Sequence, residues 1–172
     1  MNMKKIIHFI NSLFLISFIS PQITAANSEL TINLSLEIIK SGCQVSSDDL
    51  SINLETWDTK YFKKPNSEST LTQFKIDLIN CSGINNAQVK FVGSSSNSKY
   101  LEIENNNSSA KNIAIKLYNH DKTVLSLNEY SVMQPIIGKS SSLNFFANYI
   151  SENGGTTPGS ANATATFYIK YD

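Results

Sequence analysis

Apolar and polar positions alternate with a period of two along most of this chain. Leu30, Ile32, Leu34, Leu36 and Ile38 alternate with Thr31, Asn33, Ser35 and Glu37. Phe74, Ile76 and Leu78 alternate with Lys75 and Asp77, and Val89 and Phe91 flank Lys90. Ile113, Ile115 and Leu117 flank Ala114 and Lys116. Leu143, Phe145, Ala147 and Tyr149 make a further set, and Ala161, Ala163, Ala165, Phe167, Ile169 and Tyr171 the last. Successive side chains of a strand point to opposite faces, so each run predicts a half-buried strand. No stretch keeps a 3.6-residue apolar period over three turns. Residues 94–98, 105–109 and 151–157 are rich in Ser, Asn and Gly and predict loops. They are too short to separate domains. Short strands punctuated in this way predict an all-β, immunoglobulin-like sandwich.

The amino terminus breaks the alternation. Lys4 and Lys5 precede an almost wholly apolar run over residues 6–19, and Pro21 and Thr24-Ala25-Ala26 follow. A basic start, a short apolar core and small residues at the end predict a secretory signal peptide, residues 1–26. The alternative is a membrane anchor, but the run is shorter than the ~20 residues a span needs. No basic stop-transfer cluster follows it either. Removal of the segment leaves 12 Lys against 14 acids and His120 as the one histidine.

Composition narrows the chemistry. Only 16% of the 172 residues are charged, and all 14 basic ones are Lys. A chain without Arg has no bidentate fork for phosphate or base edges, and no nucleic-acid partner is expected. Two Cys and two His are too few for a four-ligand zinc cage, so neither metal nor cofactor is expected. Cys43 and Cys81 stand 38 positions apart. In an exported chain an even pair reads as a disulfide; a redox pair would more naturally be Cys-x-x-Cys. Closing that loop stabilises the fold by ~4 kcal/mol in the chain-entropy model.

Other candidates read as structure. His120-Asp121 lies in a turn-like stretch without a nucleophile. Asp48 and Asp49 would point to opposite faces of a strand. Trp57 reads as a half-buried aromatic near a sheet rim, with sugar stacking as the alternative. Gly154-Gly155 predicts a hairpin turn, because no P-loop Lys or helix follows. No enzymatic activity is expected.

The last fourteen residues, Gly159 to Asp172, hold a Gly, an alternating Ala/Phe/Ile series and a penultimate Tyr. This resembles the closing strand of chaperone–usher pilins, the type 1 and P pilus family. Cys43-Gln44-Val45-Ser46 resembles the family's first cysteine strand, and Phe74 to Cys81 its second. Val89 to Gly93 and Asn112 to Ile115 resemble later strands. The resemblance covers the chain from residue 27 onward.

The resemblance implies a six-stranded, incomplete sandwich lacking its last strand. Residues 27–42 would form an amino-terminal donor-strand extension, and residues 43–172 the pilin domain. Leu30, Ile32, Leu34, Leu36 and Ile38 would enter a neighbour's groove and stand free of this subunit's own core. An arm tucked into its own sheet would count against that reading. Gly159, Ala161, Ala163, Ala165, Phe167, Ile169 and Tyr171 would line the groove. A periplasmic chaperone would pair there and hold the terminal carboxylate of Asp172. The implied partners are neighbouring fimbrial subunits, that chaperone and an outer-membrane usher, on a route through the periplasm to the cell surface. Many pilins have Gly where Leu36 stands, which implies a different register of the arm or a roomier pocket. The implied function is a structural subunit, minor or adaptor. A major subunit and a small secreted carbohydrate-binding adhesin are the alternatives. The adhesin is disfavoured because no receptor domain fits beside the pilin domain.

Overall fold

The computed structural model describes residues 29–34, as backbone, and residues 42–47 and 49–172 with their side chains. The signal peptide, Leu36, Ile38 and Asp48 lie outside the described residues. The strands are β1 (Glu29–Leu34), β2 (Gly42–Val45), β3 (Asp49–Asn53), β4 (Ser67–Glu68), β5 (Thr72–Ser82) and β6 (Asn86–Gly93). They continue as β7 (Leu101–Glu102), β8 (Ala114–Tyr118), β9 (Val124–Leu125), β10 (Gln134–Pro135), β11 (Ser140–Ser151) and β12 (Ala163–Tyr171). One 3-10 turn, Thr59–Phe62, is capped by the Asp58 carboxylate, which accepts from the Lys60 backbone N–H.

Two sheets form. The first has the order β10-β6-β12-β1-β3; the second runs β2-β5-β11-β8-β7, with β4 beside β11 and β9 beside β8. The alternating runs supply the facing surfaces. Val89, Phe91, Ala165 and Phe167 from the first sheet meet Phe74, Ile76, Leu143 and Phe145 from the second, all buried. Phe91 stands edge-on to Phe145 with ring centres 5.3 Å apart and lies 6.2 Å from Phe167. Such aromatic pairs add stabilisation beyond the area they bury. Cys43 on β2 and Cys81 on β5 form the expected disulfide, S–S 2.03 Å.

The chain after Val45 crosses from the second sheet to the first, so β2 and β3 act as two halves of one leading strand. With β5, β6, β8, β11 and β12 they make the six strands that the resemblance implies, and β1 adds a seventh to the first sheet. The short pairs β4, β7, β9 and β10 were not legible as strands, because two residues carry no period.

One expectation needs correction. The arm does not stand free: Glu29–Leu34 lies in its own sheet, between β12 and β3. It pairs antiparallel with β3, Leu30 level with Ile52 and Ile32 level with Leu50. It pairs parallel with β12, Leu30 level with Ala163, Ile32 with Ala165 and Leu34 with Phe167. The physical reason is that the place between β3 and β12 presents unpaired backbone groups on both sides. In a lone subunit the chain's own arm is the strand at hand to satisfy them. Every other pair of named strands is antiparallel.

Candidate functional site: the groove beside the last strand

The groove is the strand position between β3 and β12. Along β12 the burial alternates as the sequence predicts: Ala163, Ala165 and Phe167 are buried, Thr164 and Tyr168 exposed, Ile169 and Tyr171 half-buried. Small Ala side chains at consecutive inward positions keep the floor low, which leaves volume for an incoming strand's side chains. The other wall is β3, with Ile52 buried and Leu50 partly so. The Leu50, Ile52, Leu54 alternation was the available signal for this wall.

At the start of β12 the groove ends in a cleft of about 370 Å³. Trp57, Phe62, Tyr149, Ala161 and Gly159 line its apolar part, with Glu55 and Asp58 at the edge. Trp57 is held by its Nε1–H donating to the Leu54 carbonyl at 3.0 Å. The Tyr149 hydroxyl donates to the Ala161 carbonyl at 3.1 Å and fixes the floor. Trp57 is thus a wall of this cleft, which its position in the sequence did not reveal.

Gly159 and Ala161 precede the strand instead of belonging to it. Ser160 and Ser108–Ala110 exchange backbone hydrogen bonds of 2.9 Å in each direction. A Cβ on Gly159 would lie 2.2 Å from the Ala110 nitrogen and 2.4 Å from the Ser109 carbonyl carbon. That close backbone approach requires Gly, which gives the glycine fourteenth from the end its physical role.

The far end is tied shut. The Tyr171 hydroxyl reaches across to the other sheet and donates to the Cys43 carbonyl at 3.2 Å. Burial pushes the Tyr171 phenol pKa up. The Asp172 backbone N–H donates to the Asn86 carbonyl, and its own main-chain oxygen accepts from Asn85 and Asn86. A smaller opening of about 60 Å³ lies under Val45, Leu50, Ile76 and Phe167, where the leading strand changes sheet.

The remaining sequence candidates are not assembled into chemistry. His120 is exposed in a turn closed by Asn119 and Thr123, away from any nucleophile. Asp49 is exposed at the start of β3. Among the described residues no cluster of His, Cys, Asp and Glu is arranged to hold a metal ion. No helix among them is long and apolar enough to cross a membrane.

Comparison with known proteins agrees with this architecture. The family described as fimbrial protein matches residues 32–172. The fimbrial-like protein FimF of Salmonella typhimurium is 30% identical over 154 residues, covering 88% of this chain and 89% of that one. The probable major fimbrial subunit LpfA of Escherichia coli O157:H7 is 26% identical over 176 residues, 99% and 98% of the two chains. The crystal structure of the P pilus rod subunit PapA superposes with a TM-score of 0.64 at 18% identity, over 77% of this chain and 100% of that one. The chain therefore belongs to the fimbrial protein family, the chaperone–usher fimbrial subunits that its cysteine strands and closing strand resemble.

Proposed function

We propose that this subunit polymerises by donor-strand exchange, lending residues 28–39 to one neighbour and receiving the equivalent arm of another between β3 and β12. The arm's place in its own sheet counts against a free-standing arm, and what supports exchange is the kind of strand position it occupies there. One sheet has a strand position flanked by β12 and β3, and the segment found there is the arm that precedes the sandwich. The arm and the groove are different surfaces of one molecule, so joining them between copies is head-to-tail and leads to a filament. Strand addition of this kind takes affinity from ladder hydrogen bonds and specificity from pockets for alternate side chains.

Before assembly a periplasmic chaperone would occupy the same place along β12, and an outer-membrane usher would pass the subunit to the surface. The finer placement proposed here is a minor or adaptor subunit. A major subunit is the alternative, and the copy number of the chain in isolated fimbriae separates the two.

The test is a chain lacking residues 28–39, refolded with and without a synthetic peptide of that segment. It should aggregate alone and gain a sharp thermal transition with the peptide, and a peptide carrying Leu34→Asp should not rescue it. In the full chain Leu34→Asp should stop entry into a neighbour while leaving chaperone binding intact. A stable arm-deleted chain indifferent to the peptide would overturn the reading, as would equal loss of neighbour and chaperone binding.

A further inference from the structure

We propose that the chain forms a second internal cross-link, an amide bond between the Lys116 amine and the Asn148 side-chain carbonyl, with Glu68 as proton carrier. The claim is independent of strand exchange and concerns the outer face of the second sheet. There Lys116 on β8 and Asn148 on β11 are level in the antiparallel ladder. Side chains directly opposite in such a ladder start about 5 Å apart. Glu68, on β4, reaches both. Lys116 Nζ donates to its Oε1 at 2.7 Å, and Asn148 Nδ2 donates to its Oε2 at 3.0 Å. A nucleophile, an acyl group and a carboxylate able to carry a proton between them therefore meet at one point.

The surroundings are unlike those of a surface ion pair. The Lys116 side chain is 14% exposed and Asn148 only 2%. Lys116 Nζ lies 5.1 Å from the centre of the Tyr118 ring and 5.9 Å from that of Tyr100. The two other ion pairs among the described residues, Lys60 with Asp58 and Lys75 with Asp77, are exposed. Asn148 Nδ2 is held twice, by Glu68 and by the Ser69 carbonyl, while its Oδ1 is buried without a hydrogen-bond partner. Buried acceptors are nearly always paired, and a reactive carbonyl is one cause of an exception.

The step balances without a co-reactant. Lys116 passes a proton to Glu68 along the hydrogen bond that already joins them. The freed amine attacks Asn148 Cγ and forms the new C–N bond. The bond from Cγ to Nδ2 breaks, and Glu68 carries protons from the attacking nitrogen to the leaving one. An ammonium and a primary amide become a secondary amide and an ammonium ion, and nothing is oxidised or reduced. Burial favours the neutral amine, but the hydrogen bonds with Glu68 and Tyr118 outweigh it and raise the Lys116 pKa. The reactive form is scarce, so the bond closes slowly after folding and the ion-paired chain is its precursor. Unlike the link between Cys43 and Cys81, the closed amide would survive reduction.

The test is mass spectrometry of the purified chain, fresh and after prolonged incubation at neutral pH. The incubated chain should be lighter by about 17 Da, one ammonia. Trypsin should fail to cut after Lys116 and should release a branched peptide, residues 112–122 joined to residues 140–170. Glu68→Gln keeps both partners but removes the proton carrier, so closure should slow about 100-fold or more. A retained disulfide and a cooperative melt establish that this variant is folded. The digest of the unsubstituted chain is decisive by itself: complete cleavage after Lys116 following incubation would overturn the proposal. Loss of ammonia without the branched peptide, which is cyclisation at an asparagine, would overturn it too. So would closure in folded Glu68→Gln as fast as in the unsubstituted chain.

Discussion

Strand β12 has two edges, and they are unlike. On one side β6 pairs with it antiparallel over seven register positions, Ala165 level with Gly93 through Tyr171 level with Ala87. On the other side β1 pairs parallel over five, from Ala163 to Phe167. The β6 edge belongs to the continuous core, with Val89 and Phe91 fully buried and a turn at Asn85-Asn86 tied to Asp172. One edge holds the subunit together, and the other is where the proposed exchange would act.

The largest test breaks the permanent edge. Phe91→Ala removes a ring packed against Phe74, Phe145 and Phe167. It should cost about 3–5 kcal/mol in chemical denaturation and lower protection at both edges together. By contrast, Ile32→Asp should free the arm, raising amide exchange at residues 29–34 and peptide uptake while β6 and β12 stay paired. Parallel loss at both edges in Ile32→Asp would erase the distinction.

A smaller effect comes from Ala165, level with Gly93 on one side and Ile32 on the other. Ala165→Leu should cost about 1–3 kcal/mol through overpacking, and the β1 edge should yield first. Hydrogen exchange at residues 29–34 should therefore rise more than at residues 87–93. Tyr171→Phe removes the bond to the Cys43 carbonyl and should cost about 1 kcal/mol by thermal melting. It should leave the β1 pairing unchanged, because that pairing ends level with Phe167.

The smallest effect is a control remote from both edges. On the outer side of the second sheet, Glu68 accepts from Lys116 Nζ at 2.7 Å, from the Tyr118 hydroxyl and from Asn148 Nδ2. Burial raises the Glu68 carboxyl pKa, but those three donors outweigh it and hold it below the usual range. Its stabilisation is therefore complete above the ordinary Glu pKa and disappears as pH falls through the lowered folded value. In the freshly folded chain Glu68→Gln should cost less than about 1 kcal/mol at neutral pH and flatten the acid side of the stability profile. Peptide uptake should not change.

Much of the site was legible because its residues sit on strands with strong alternation. Ala163, Ala165 and Phe167 face inward as the period of two requires, and the disulfide follows from an even cysteine pair in an exported chain. Trp57 and Phe62 were not legible as walls of the cleft. They lie in an irregular segment around a 3-10 turn, where no period links a residue to a face. Gly159 was visible as a landmark, but its cause was not: the backbone it touches, Ser108–Ala110, lies about fifty positions away in sequence.

The sequence by itself determined which residues of the long strands face the core, and that Leu30, Ile32 and Leu34 form a strand. All of that is encoded in local period and residue type. Tertiary structure alone decided where that strand lies, because pairing depends on which unpaired edge is within reach. The arm lies against its own β12 in the parallel sense, level with residues more than 130 positions away, which no local pattern records.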